Sequence, residues 1–67
     1  MLITRISPWS GKSNTRDLPV TPQQMERFVR REALIQDIFP NLNVGDREFI
    51  LTGYTEQDWD EMFSEND

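Results

Sequence analysis

The tripeptide Gly11-Lys12-Ser13 is the first place where residue types and spacing suggest chemistry. A glycine, a lysine and a hydroxyl residue in this order end the phosphate-binding loop of many nucleotide hydrolases. That motif also needs a glycine five residues earlier, where this chain has Ile6, and a helix that begins at the lysine. The residues from 14 to 19, which end in Pro19, cannot form that helix. We therefore predict no nucleotide binding and interpret the stretch as a polar turn with Lys12 at its solvated tip.

Few residues of the chain are suited to other catalytic or metal-binding chemistry. The chain contains no histidine and no cysteine, which removes the imidazole base, the thiolate nucleophile and the usual zinc ligands. Carboxylates are abundant, but Asp58, Asp60 and Glu61 are spaced as a solvated face around a buried Trp59. We expect no enzymatic activity, no cofactor and no metal site.

The charge is distributed unevenly along the 67 residues. Residues 1–31 carry six basic and two acidic side chains, whereas residues 32–67 carry one basic and ten acidic ones, for a net charge of −5. The two halves either neutralise each other across the fold or present faces of opposite sign to a partner.

Several residues are candidates for contact with a partner. Trp9, in a polar turn, is either a lid on the small core or an exposed anchor of the kind enriched at interfaces. Three arginines on the polar side of the first predicted helix form a possible phosphate-facing patch, or pair with acids of the second half. Arg47, between Asp46 and Glu48, has no evident structural need. The candidate contact residues are Trp9, Arg27, Arg30, Arg31, Arg47, Asp58, Asp60 and Glu61.

The elements that position these residues begin with a short strand. Residues 2–6 alternate apolar and polar side chains and predict a strand, and residues 17–20 can pair back as a second one. Thr21 and Gln24 form a capping box with Pro22 at the first helical position. The apolar stripe of this helix changes side in its second half, which favours a break near Arg31 and Glu32.

The helical element continues after the break and ends at Pro40, and two further helices follow it. Asn43 caps a helix over 44–52 that ends at Gly53, and Thr55 caps a third helix. We predict an α+β, mostly α fold: an N-terminal strand or short hairpin packed with three to four short helices in one domain over 1–67, with a frayed tail at 64–67. The predicted core aromatics are Phe28, Phe49, Trp59 and Phe63.

The chain has no apolar run of signal-peptide or membrane-span length, so we expect a cytoplasmic protein without membrane association. A domain this small, without disulfides, depends on a small core or on self-association, which makes a homo-oligomer possible.

The pattern over residues 10 to 63 resembles a family of short, uncharacterised proteins found mainly in tailed-phage genomes and in phage-rich environmental sequence. That family usually has a glycine near position 32, where this chain has Glu32. The resemblance implies a phage context and no particular activity. The matching elements are Ser10-Gly11-Lys12, Asn14-Thr15, Thr21 with Gln24, Ile35-Gln36, Pro40 with Leu42, Asp46-Arg47-Glu48-Phe49, Thr52-Gly53, and Trp59 with Phe63.

These observations favour a non-enzymatic interaction protein, a phage-encoded modulator or inhibitor of a host or phage protein whose identity the sequence leaves open. One alternative is a nucleic-acid-associated protein that uses the basic N-terminal half. Another is an acidic mimic of nucleic acid that occupies a basic groove, and a third is a small subunit that folds fully only in an oligomer.

Overall fold

A β-hairpin followed by four short helices forms the fold of residues 1–64, which are the residues that this computed structural model describes. The predicted α+β, mostly α class is confirmed. The predicted frayed tail lies outside the described residues, apart from Ser64, which is the last residue of α4. The elements are β1 (Leu2–Ile6), β2 (Ser13–Asp17), α1 (Pro22–Arg30), α2 (Ile35–Ile38), α3 (Val44–Thr52) and α4 (Glu56–Ser64).

The hairpin pairs β1 and β2 antiparallel, with Leu2 opposite Asp17 and Ile6 opposite Ser13. The prediction of a second strand over 17–20 is wrong, because the polar residues 13–17 form it instead. Their turn propensity is overridden by cross-strand pairing. Gly11, at φ 74°, lets the turn close, and its N–H donates to the Ser7 carbonyl at 2.9 Å.

Local capping signals set the first helix as predicted. The Thr21 hydroxyl accepts from the Gln24 N–H at 3.1 Å, and the Gln24 side chain accepts from the Thr21 N–H at 2.8 Å. α1 ends at Arg30 because Arg31 adopts the left-handed conformation with φ 56°. The predicted break near Arg31 and Glu32 is therefore confirmed.

The third helix, α3, begins and ends as predicted. The Asn43 side chain accepts from the Asp46 N–H at 2.8 Å, and Gly53 ends the helix with φ 88°. Gly53 is required for a second reason, since a Cβ at this position would lie 2.7 Å from the Ile6 carbonyl oxygen. The chain thus leaves α3 in close contact with the end of β1.

The core lies between the inner face of the hairpin and the first three helices, and no residue of α4 belongs to it within the part of the chain described. Phe49 is fully buried, as predicted, whereas Phe28 is only half-buried and packs against the core. The prediction that Trp59 and Phe63 are buried is wrong: their exposed fractions are 36% and 74%. The buried apolar residues are Ile3, Leu18, Val20, Ile38, Phe39, Leu42, Phe49 and Ile50.

We expect Phe49→Ala to unfold most of the protein, because removing a buried phenylalanine costs about 3–5 kcal/mol and a domain this small has a similar total stability. Phe63→Ala should cost about 1 kcal/mol or less, since its ring is exposed. Urea unfolding followed by circular dichroism measures both. Equal destabilisation by the two substitutions would contradict this assignment of the core.

Candidate functional site

The last helix is attached to the hairpin turn through a buried carboxylate. The Asp58 side chain is only 4% exposed and accepts from the Ser7 hydroxyl at 2.7 Å and from the Thr55 N–H at 2.9 Å. The buried Ser7 hydroxyl also accepts from the Trp9 and Ser10 N–H groups, each at 3.1 Å. We call this arrangement the Ser7–Asp58 junction. The prediction that Asp58 lies on a solvated face is wrong, because its carboxylate binds both the turn and the Thr55 N–H. The Thr55 hydroxyl accepts from the Asp58 N–H at 3.2 Å, so Thr55 caps α4 as predicted.

The hydrogen bonds of the junction favour the ionised carboxylate. The Thr55 N–H lowers the pKa of Asp58 the most, burial opposes this, and the Ser7 and Thr55 hydroxyls lower the pKa further. The positive charge of Lys12 acts in the same direction. Asp58 is therefore a charged acceptor at neutral pH, suited to hold the N–H and O–H donors around it.

Three aromatic rings are stacked at α4: the exposed rings of Trp59 and Phe63 lie on the helix, and the half-buried ring of Tyr54 lies in the segment before it. The ring centroids of Tyr54 and Trp59 are 4.8 Å apart, and those of Trp59 and Phe63 are 5.8 Å apart. We call Tyr54, Trp59 and Phe63 the aromatic row. Sequence reasoning missed Tyr54 and assigned the other two to the core. A usable signal was the aromatic pair at i, i+4 in a helix whose other residues are mostly acidic.

Acidic side chains flank the aromatic row. α4 carries four acids and no basic residue. Glu56 and Asp60 are four residues apart, as are Trp59 and Phe63, so helical spacing makes each pair a row along α4. The two rows lie next to each other on the helix surface. Glu56 binds Arg16, whereas Asp60 is exposed and its carboxylate has no ion pair or hydrogen bond within residues 1–64.

Trp9 and Glu61 meet on another side of α4. The Trp9 indole N–H donates to the Glu61 carboxylate at 3.2 Å, and the indole remains exposed. The structure thus brings Trp9, Asp58 and Glu61 to the junction between the turn and α4. Both Asp60 and Glu61 lie at the surface, as expected from the sequence.

The arginines of α1 lie at the surface but are partly neutralised there. Arg27 pairs with Glu32 at 3.7 Å, and Arg30 pairs with Glu26 at 2.7 Å. Arg31 is exposed and makes no ion pair among the residues that the structure describes. The predicted phosphate-facing patch therefore consists mostly of side chains that already have carboxylate partners.

Arg47 has a structural role, so the prediction that it has none is wrong. Its Nε donates to the Phe39 carbonyl at 3.1 Å and its Nη2 to the Pro40 carbonyl at 3.3 Å. These carbonyls follow α2, a short helix that leaves its last carbonyls without internal partners. Arg47 thereby ties the segment after α2 to α3.

A shallow groove of about 340 Å³ lies between α2 and α3, separate from the residues of the aromatic row. Its lining is mixed, and its arginine is the one already bound to backbone carbonyls. No group of three metal-ligating side chains occurs within residues 1–64, and no helix in that range is long and apolar enough to cross a membrane. The groove is lined by Ile35, Gln36, Val44, Arg47, Glu48 and Leu51.

We expect ATP or GTP with magnesium to leave the melting temperature unchanged. Lys12 leads into β2 rather than into a helix and shares a small cavity of about 30 Å³ with Asp58 and Glu61, whose carboxylates repel phosphate. A ligand at 100 times its Kd adds about 2.7 kcal/mol, which thermal unfolding detects readily. A nucleotide-dependent rise that disappears in Lys12→Ala would contradict this expectation.

The Ser7–Asp58 junction should make stability depend on pH in the acid range. Because the folded pKa of Asp58 is lowered, its contribution is fully present above the ordinary aspartate pKa of about 3.9 and is lost as pH falls through the folded value. We therefore expect Asp58→Asn to melt below the wild type at pH 7, and the difference to shrink towards pH 2. Asp60→Asn is the control, since Asp60 is exposed. A difference that is constant with pH would contradict the junction.

Comparison of the chain with protein-family models, curated proteins and solved structures found no match. The resemblance to short tailed-phage proteins therefore stays a prediction.

Proposed function

We propose that this chain is a non-enzymatic interaction protein that binds another protein through the aromatic row of α4. In line with the tailed-phage resemblance, it acts as a phage-encoded modulator of a host or phage protein in the bacterial cytoplasm. The observation that carries the proposal is the orientation of α4, whose buried side chain is the charged Asp58 while the rings of Trp59 and Phe63 face solvent.

This orientation is the reverse of what an ordinary surface helix adopts. A helix at the edge of a small domain normally turns its apolar stripe towards the core and its charges towards water. Leaving Phe63 74% exposed forgoes about 25 cal/mol for each Å² of apolar surface that could be covered. A protein partner that covers the row recovers this free energy, and Trp and Tyr are enriched among interface hot spots.

The shape of the molecule supports the same proposal. Its Cα radius of gyration is 12.9 Å, larger than the about 11 Å expected for a compact chain of this length. α4 buries only one side chain, and it is attached through polar contacts: the Ser7–Asp58 junction, the Arg16–Glu56 ion pair and the hydrogen bond from Trp9 to Glu61. Because no apolar side chain of α4 is buried, its rings stay available to a partner.

The nucleic-acid alternative has less support. Arg27 and Arg30 are paired with glutamates of their own chain, and Arg5 donates to the Ile50 carbonyl. Binding to phosphates would have to break these contacts, and the acids of α4 would repel the backbone. A homo-oligomer would also cover the exposed row, and the capture experiment below distinguishes it from binding to another protein.

We expect immobilised wild-type protein to retain a defined protein from a bacterial host lysate, and Phe63→Ser to lose it. Val29→Ser is the matched control, because Val29 has the same exposed fraction of 74% but lies on α1. Mass spectrometry compares the three captures, and circular dichroism checks that the variants are folded. Retention of the same proteins by Phe63→Ser would contradict the proposed surface, and retention of the chain alone would indicate self-association.

A further inference from the structure

We infer that the partner presents an apolar groove rimmed by lysine or arginine, into which α4 docks as a helix. The inference rests on the proposed function and adds the chemistry of the partner. It is carried by the position of Asp60 beside the aromatic row.

The charged side chains of α4 itself all have one sign. Asp60 follows Trp59 directly and lies one turn beyond Glu56, so an acidic row runs parallel to the row of Trp59 and Phe63. Glu56 is already bound to Arg16, which holds that end of the acidic row. Asp60 has no ion pair among the described residues and remains available to a cation of the partner. An apolar groove with a basic rim is therefore the complementary surface.

Stacked rings also suit the bases of single-stranded nucleic acid, but the surrounding charge opposes that occupant. Base stacking on aromatic side chains is normally accompanied by a positively charged groove that follows the phosphates. α4 has no basic residue, and Asp60 lies beside the rings. The electrostatic energy of a phosphate backbone at this surface is therefore unfavourable.

A second copy of the chain is disfavoured on the same grounds. Pairing two α4 helices through their aromatic rows would bring Asp60 of each copy, which has no ion pair among the described residues, towards the acids of the other. Like charges placed opposite each other reduce affinity. A basic groove on a different protein avoids this repulsion and covers the same rings.

The inference is tested with two synthetic amphipathic helices, one of leucine and lysine and a twin with glutamine in place of lysine. Tryptophan fluorescence of the intact chain reports binding. We expect the lysine peptide to bind at least about tenfold more tightly than the glutamine twin, and its affinity to fall as salt is raised. This comparison uses the wild-type protein alone, so it does not depend on a variant that folds.

Variants then locate the contact. Phe63→Ser should weaken both peptides about tenfold or more, because the main ring anchor is removed. Asp60→Lys should weaken the lysine peptide about tenfold and leave the glutamine twin unchanged. Val29→Ser and Asp37→Lys are the matched controls, since both residues are exposed on other helices, and should bind like the wild type.

The outcomes separate the inference from the proposed function. Equal binding of the two peptides, or no effect of Asp60→Lys, overturns the basic groove, while a loss in Phe63→Ser still supports docking through the row. No loss in Phe63→Ser overturns both. Oligothymidylate that binds more tightly than the lysine peptide overturns the inference in favour of nucleic acid. A wild-type dimer in sedimentation that Phe63→Ser disrupts overturns it in favour of a second copy.

Discussion

The hydrogen bond from the Ser7 hydroxyl to the buried Asp58 carboxylate holds the last helix against the hairpin turn. The apolar core is complete without α4, so no hydrophobic face directs this helix. A charge-assisted bond is directional, and Asp58 also completes the capping box of α4 by accepting from the Thr55 N–H. Turn, cap and helix are thereby fixed relative to each other, and the aromatic row is left on the outside. The exposure of the aromatic row is thus a consequence of the Ser7–Asp58 junction.

The uneven charge of the chain is resolved largely within the fold. Arg5 and Arg16 lie on the inner face of the hairpin, where they meet opposite ends of α3: Arg5 donates to the Ile50 carbonyl, and Arg16 binds Asp46 at 2.9 Å. The Arg16 guanidinium also lies 4.6 Å from the centre of the Phe49 ring. Arg5 and Arg16 of the first half therefore hold α3 against the hairpin, and Arg16 also binds Glu56 of α4.

Features that depend on neighbours in the chain could be predicted from the sequence. The capping box at Thr21, the cap at Asn43 and the left-handed Gly53 each need only a few consecutive residues, and all three occur as predicted. The break after α1 was indicated by a stripe that changes sides. Features that depend on distant residues were missed. One example is β2, which has a turn-forming composition and is a strand because it pairs with β1.

The sequence by itself determined the class of the fold, the helix boundaries set by caps and glycines, and the absence of imidazole and thiol chemistry. Only the tertiary structure decided which face of α4 meets solvent. The spacing of Trp59 and Phe63 is the same for a core stripe and for an exposed row. From the sequence alone, Asp58 is predicted to be a solvated acid, and only its contact with Ser7 explains why it is buried. That contact joins residues 51 positions apart, so local periodicity carries no information about it.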